Sequence, residues 1–161
     1  MLAVIEKVEG GNIARFERLL KHSVEQVWAV LTVNDKLEKW MSNLEIEELR
    51  KEGTIKFNMN DGTGSFIDMK IRDFQEHSVL EFEWGDGWVR FELSPKTEGC
   101  LLVLKESIRT ISDHTSKDLA GWHVCLDMLS TLLNGHYMDF PKGEWEKWHE
   151  KYIIVVNQIE G

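Results

Sequence analysis

Between Leu44 and Ile111 the chain repeatedly places an apolar side chain at every second position. Ile55, Phe57 and Met59 alternate with Lys56 and Asn58; Ile67, Met69 and Ile71 alternate with Asp68, Lys70 and Arg72. Leu80, Phe82 and Trp84 then alternate with Glu81 and Glu83, and Val89, Phe91 and Leu93 with Arg90 and Glu92. A period of two sends successive side chains to opposite faces of a strand, so each run has one dry face and one wet face. Asn60-Asp61-Gly62-Thr63-Gly64 and Gly85-Asp86-Gly87 are turn signals, and a further turn is predicted near Glu76 to Ser78. Ser94 to Gly99 leads to a last strand predicted from Cys100 to about Ile111. Parallel neighbours need a crossover of a dozen or more residues, and none of these connections provides one. An antiparallel meander follows.

The pattern then changes. Within residues 112–135, Leu119, Trp122, Leu126, Leu129 and Leu133 fall at steps of three and four, which predicts one long helix with those side chains on a single face. Cys125, Met128 and Leu132 widen the face. Something concave must receive so broad an apolar band, and a curved sheet is the natural receiver. Ahead of the meander, Ile13 to Leu20 reads as a first strand. Ser23 with Gln26 forms a capping-box signature before the helical stripe of Val24, Val27, Trp28 and Leu31. Asp35 is expected to cap a second short helix containing Leu37, Trp40 and Met41.

Past the long helix, Gly135 reads as its stop and Pro141 opens a tail. Trp145, Trp148, Tyr152, Val155 or Val156, and Ile159 predict an amphipathic helix over 142–158. Such a helix needs a surface to cover: its own domain, a second copy of the chain, a protein partner, or a site over which it moves as a lid.

The 161 residues suit a single domain, expected to span 1–161. A formal charge of −9 argues against nucleic acid or anionic lipid held through bulk electrostatics. The first residues are too soon interrupted by charge for a secretory leader, and no apolar run reaches the length of a membrane span, so a cytoplasmic protein without membrane insertion is expected. Cys100 and Cys125 lack C-x-x-C spacing and read as reduced core thiols.

Strand, two short helices, antiparallel meander and long helix occur in the order of the helix-grip, START-like architecture. The chain resembles the family built on the C-terminal domain of the activator of Hsp90 ATPase, within the SRPBCC superfamily. Val27-Trp28 is similar to that family's Val-Trp pair, and Trp40-Met41 to its Trp followed by a large apolar residue. Gly121-Trp122, with Leu126 and Leu129, is similar to the Gly-Trp and leucine ladder of its final helix. The resemblance covers roughly residues 10–135; the helical extension over about 136–161 runs past the family domain's usual end. It implies an α+β helix-grip fold, in which a curved antiparallel sheet wraps a long helix and encloses an apolar cavity. Related proteins use that cavity for lipids, polyketides or other small hydrophobic molecules. Nothing comparable to the eukaryotic co-chaperone's preceding domain is found in the chain, so direct activation of Hsp90 is not expected.

If the long helix grips the sheet, the inward set is Phe57, Met69, Ile71, Phe82, Trp84, Phe91, Leu104, Trp122, Cys125, Leu126 and Leu129. Each is also what an ordinary core would use; the binding claim belongs to the group. Leu102, Leu104, Glu106 and Ile108 share a face by alternation, which turns Glu106 inward with a raised pKa or a basic partner, Arg109 or Arg72. A one-residue slip would put it in water instead. Asp68 is expected to face out. His149-Glu150-Lys151-Tyr152-Ile153 starts like a zinc-protease helix but has Ile153 where the second imidazole must stand. Gly62-Thr63-Gly64-Ser65-Phe66-Ile67 lacks the third glycine of a dinucleotide loop. His123 is read as a surface residue. Neither a metal nor a cofactor is expected.

Three functions stay open. The first is noncatalytic binding of a small hydrophobic, lipid-like or polyketide-like ligand. The second is a stress-response or chaperone-linked interaction module acting through residues 142–158, as a homodimer or with another protein. The third is a cyclase-like or hydrolase-like enzyme using a cavity carboxylate.

Overall fold

The alternating runs assemble into one eight-stranded sheet in the computed structural model, which describes residues 2–160. Strands β1 (Val4–Val8) and β2 (Gly11–Leu20) lead into helices α1 (Val24–Thr32) and α2 (Asn34–Leu37). Then come β3 (Leu44–Ile46), β4 (Thr54–Asn58), β5 (Phe66–Gln75), β6 (Val79–Trp84), β7 (Gly87–Lys96) and β8 (Gly99–Ile108), followed by α3 (Thr115–Leu133) and α4 (Lys142–Glu160). Spatial order is β1-β2-β8-β7-β6-β5-β4-β3, with every neighbouring pair antiparallel. β8 returns beside β2, and α3 packs against the inner face through Trp122, whose ring meets Trp84 and Phe91. This is an α+β helix-grip fold.

Local chemistry sets the element ends. The Ser23 hydroxyl accepts from the Gln26 amide while the Gln26 side chain accepts from the Ser23 amide, closing the expected capping box. At the far end of α3, Gly135 takes φ of 87°. The Gly135 amide donates to Leu132 and the His136 amide to Thr131, the paired bonds that terminate a helix through a left-handed residue.

Several boundaries differ from the sequence reading. β1 was not legible, because this edge strand buries neither face well and so has no alternation to read. β8 ends at Ile108, short of the expected Ile111, where the chain leaves the sheet for the loop before α3. Asp35 does not cap α2; Val33 occupies that position, and the neighbouring Asn34 side chain instead binds both backbone groups of Ile46. In β5 the register with β6 shifts between Ile71 and Asp73. One inserted residue reverses the alternation, so Phe74 returns to the inner side and meets the Trp28 ring at 5.8 Å.

His123 is the largest correction: it is 1% exposed, not a surface residue. Helix α4 covers the outer side of α3, burying Tyr152 and Val156 and half-burying Trp145 and Trp148. The Ala3 amide donates to the Tyr152 hydroxyl at 3.0 Å, and that hydroxyl is hydrogen-bonded to His123 Nδ1 at 2.7 Å. Trp148 stacks on the imidazole with centroids 3.9 Å apart. Burial, with the nearby Arg18 charge, holds the His123 pKa down to about 3, so the ring is neutral. Tyr152 thus ties β1, α3 and α4 together. Tyr152→Phe leaves the Ala3 amide and His123 Nδ1 unpaired and is expected to cost about 1–3 kcal/mol in urea unfolding, with faster amide exchange along β1. A loss under about 0.5 kcal/mol would mean that the chain is not energetically joined there.

Candidate ligand-binding cleft

The space between α3 and the sheet is occupied by side chains. Trp122, 2% exposed, lies with its ring centroid 5.0 Å from Trp84 and 6.0 Å from Phe91. Phe91 in turn meets Phe82 at 6.4 Å and Trp40 at 6.2 Å. Met69, Ile71, Phe82, Phe91, Leu104, Leu126 and Leu129 are all buried in this layer. Cys125 is buried too, with its sulfur 3.9 Å from that of Met41, and desolvation pushes its thiol up to about 12, which leaves it protonated and unreactive. These predicted residues share one core, yet the open volume lies at its rim.

Two clefts adjoin there. One, of about 510 Å³, runs between the β6–β7 turn (Trp84, Gly85, Asp86), the end of β8 from Glu106 to Ile108, and the start of α3 at Thr115, Lys117 and Asp118. The other, of about 480 Å³, is lined by Phe57, Ile67, Asp68, Met69, Glu83, Trp84 and Gly85. Trp84 and Gly85 belong to both. The second cleft exists because the β4–β5 hairpin carries its inner face beyond the cover of the helix: Ile67, which pairs with Phe57, is 54% exposed, whereas Ile71 is fully buried. Asp68 is exposed, as alternation predicts. Gly87 lets the β6–β7 turn close on β8, since a β-carbon there would stand 2.7 Å from the Ser107 carbonyl oxygen. The predicted set thus divides. Phe57, Met69, Trp84 and Glu106 reach the clefts, and Ile71, Phe82, Phe91, Leu104, Trp122, Cys125, Leu126 and Leu129 line neither.

Glu106 is the unusual member. It faces inward from β8, opposite Val89 on β7 and Ala14 on β2, and is 4% exposed. The register is the one that alternation from Leu102 requires, and the slipped alternative is not taken. Of the two expectations for it, a raised pKa or a basic partner, the first describes the site: the group against it is the Asp118 side chain, one turn before Trp122 on α3, and Arg72 pairs elsewhere. Arg72 is spent instead on Glu81, 3.5 Å away on the outer face. Desolvation first, and then Asp118, hold the Glu106 carboxyl well above the ordinary carboxylate range. Among the described residues, Glu106 Oε1 and Trp122 Nε1 are buried without a hydrogen-bond partner.

Sequence spacing did not reveal that Asp118 meets Glu106, because the two lie on different elements and only the docking of α3 brings them together. The same holds for Ser116 and His149, whose Oγ and Nε2 are 3.2 Å apart where α4 crosses the start of α3. The His149 ring stacks on Trp145 at 4.9 Å, so this contact helps to seat α4. Among the described residues, no group of His, Cys, Asp or Glu side chains is arranged to hold a metal ion, and no helix is long and apolar enough to cross a membrane.

Comparison with known proteins agrees with this architecture. The family model described as "Activator of Hsp90 ATPase homolog 1-like protein" matches residues 21–134, a span holding the Val27-Trp28, Trp40-Met41 and Gly121-Trp122 pairs together with Trp84, Glu106 and Asp118. A conserved protein of unknown function from Enterococcus faecalis superposes with a TM-score of 0.87 at 25% identity, over 99% of this chain and 92% of its own. A protein from Bordetella parapertussis, solved by solution NMR, gives 0.68 at 27% identity over 86% of this chain and 83% of its own. CalU16 from Micromonospora echinospora gives 0.71 over 96% and 95%, and at 18% identity that likeness is one of fold. No curated protein matches the sequence. Coverage of 99% by the Enterococcus structure means that α4 belongs to a shared architecture and is not an addition peculiar to this chain.

Proposed function

The chain belongs to the activator of Hsp90 ATPase homolog 1-like family, and from that premise we propose that it is a noncatalytic cytoplasmic module binding a small hydrophobic molecule at the rim of the helix-grip core. The observation that carries this reading is the pair of clefts that share Trp84 as a wall, one apolar toward Phe57, Ile67 and Met69 and the other polar toward Glu106. Their volumes of about 480 and 510 Å³ suit a small organic ligand. Such a ligand would stack its apolar part on Trp84 and turn its polar group to the end of the cleft lined by Glu106.

The test is native mass spectrometry of the protein from its source cells, followed by denaturation and identification of what is released. A stoichiometric hydrophobic compound is expected with the wild type and should be lost from Trp84→Ala. An empty wild-type protein that also fails to bind hydrophobic probes at Trp84 would overturn the reading. Incubating the released compound with the protein would distinguish an enzyme, which converts it, from a carrier, which returns it unchanged.

One observation favours a second reading, the interaction module. Ile153 and Ile154 on α4 are exposed although Tyr152 and Val156 on the same helix are buried. A dimer mass in the same experiment, abolished by Ile154→Lys, would support it.

A further inference from the structure

The apolar cleft beside Trp84 lies over a break in the sheet. β5 pairs with β4 along Phe66–Lys70, but with β6 only from Ile71, which stands opposite Phe82. β6 runs on past that point, and its last residues, Glu83 and Trp84, pair with Trp88 and Gly87 of β7 and not with β5. Two strand edges therefore face each other with their ladder unmade. Both line the cleft, Ile67 to Met69 on one side and Glu83 to Gly85 on the other.

Which backbone groups are open follows from alternation, because successive residues of an antiparallel strand turn their N–H and C=O to opposite sides. Ile71 bonds toward β4: its amide donates to Gly53 and its carbonyl accepts from Glu52. Met69 and Ile67 share that direction, so the backbone groups of Lys70, Asp68 and Phe66 point into the gap. The Lys70 amide donates there to the Glu83 carboxylate at 2.7 Å, a side chain standing where a β6 carbonyl would otherwise be. Asp68 has no such substitute, and no strand pairs with it on that side. Its side chain turns to the face opposite Ile67 and Met69, so what it lends to the cleft wall is backbone. An unpaired strand edge beside an apolar cleft is a place for one more strand.

We propose that this cleft takes a short peptide in extended form, which pairs with β5 through the Asp68 N–H and C=O and lays apolar side chains against Trp84, Phe57 and Met69. This rests on the reading of the cleft as a ligand site and names the class of ligand. Alternate side chains of such a peptide emerge on the outer face, between the exposed carboxylates of Asp68 and Glu83, while Lys70 is taken up by Glu52. Basic residues suit those outward positions.

The probe is acetyl-Lys-Leu-Lys-Leu-Lys-amide, set against a peptide of the same side chains N-methylated at every residue. Each is titrated at neutral pH into the isotope-labelled protein, following the Trp84 indole N–H and the Asp68 amide by NMR; 2-naphthol, which cannot form a strand, is titrated in parallel. The unmethylated peptide is expected to move both signals and to slow hydrogen exchange at Asp68, and the methylated one to bind roughly tenfold more weakly, the cost of a backbone hydrogen bond left unmade. Asp68→Pro removes an N–H that no strand of the protein uses and should weaken the unmethylated peptide by a similar factor, whereas Asp68→Asn keeps that N–H and should bind nearly as the wild type does. If Asp68→Pro does not fold, the methylated peptide and the exchange rate at Asp68 decide the matter. Equal affinities for the two peptides, or a Trp84 signal that moves with 2-naphthol and with neither peptide, would overturn the inference while leaving the cleft a binding site. A Trp84 signal that no probe moves would overturn the cleft reading, and this inference with it. Protection of the Asp68 amide in the free protein, fading on dilution, would give the edge to a second copy of the chain and overturn the peptide.

Discussion

Trp122→Ala is expected to destabilise the protein by about 3–5 kcal/mol, the cost of deleting a large aromatic side chain from a packed core. Trp122 is 2% exposed and wedged between Trp84 at 5.0 Å and Phe91 at 6.0 Å, so truncation opens a void that neither ring can fill without leaving its own contacts with Phe82 or Phe57. In urea the midpoint should fall while the slope is unchanged, and the melting temperature should drop by roughly 10 °C. Trp122→Phe should cost far less, because it removes an indole N–H that has no partner among the described residues. The void left by alanine should stay dry and take up indole or benzene, restoring part of the lost stability. A loss below about 1.5 kcal/mol would show that Trp122 borders solvent-filled space instead of holding the core, and the open volume would then have to be extended inward from the rim.

What could be read from the sequence and what could not follow a physical division. Periodicity reports which way a side chain points relative to its own element, so the meander and the inward face of α3 were legible, while for Glu106 an inward turn and a one-residue slip both stayed open. It says nothing about what an element meets. For Glu106 periodicity could offer only alternatives, a raised pKa or a basic partner, and could not show that the group near it is Asp118, brought there by the docking of α3. His123 lies off the apolar stripe of α3 and so read as exposed; burial by Tyr152 and Trp148 of α4 depends on a contact between elements that no local pattern encodes. The inserted residue between Ile71 and Asp73 likewise leaves no mark in composition, although it decides that Phe74 meets Trp28. The cleft was least legible of all. Phe57 and Ile67 alternate like core residues, and they line open volume only because the β4–β5 hairpin runs past the helix.

Glu106→Gln is expected to make the protein more stable, by an amount that grows with pH. The Glu106 carboxyl is held above its ordinary value of 4.5 in the folded protein, first by desolvation and then by Asp118. Between 4.5 and the raised value the folded chain keeps a proton that the unfolded chain has released. Stability due to this group is therefore fully present below pH 4.5 and declines as pH rises toward the folded-state value, by about 1.4 kcal/mol for each pH unit, after which it levels off. Glutamine carries no charge to desolvate, so the variant escapes the decline. Urea unfolding of both proteins from pH 4 to 9 should give coincident stabilities at the acid end and a widening gap in favour of the variant above it. The sign distinguishes the two arrangements available to a buried glutamate: paired with a base, its removal would destabilise the protein at neutral pH, whereas without one its removal relieves the cost of burying an ionisable group. A constant gap across the range would show that the Glu106 carboxyl is not held above its ordinary value.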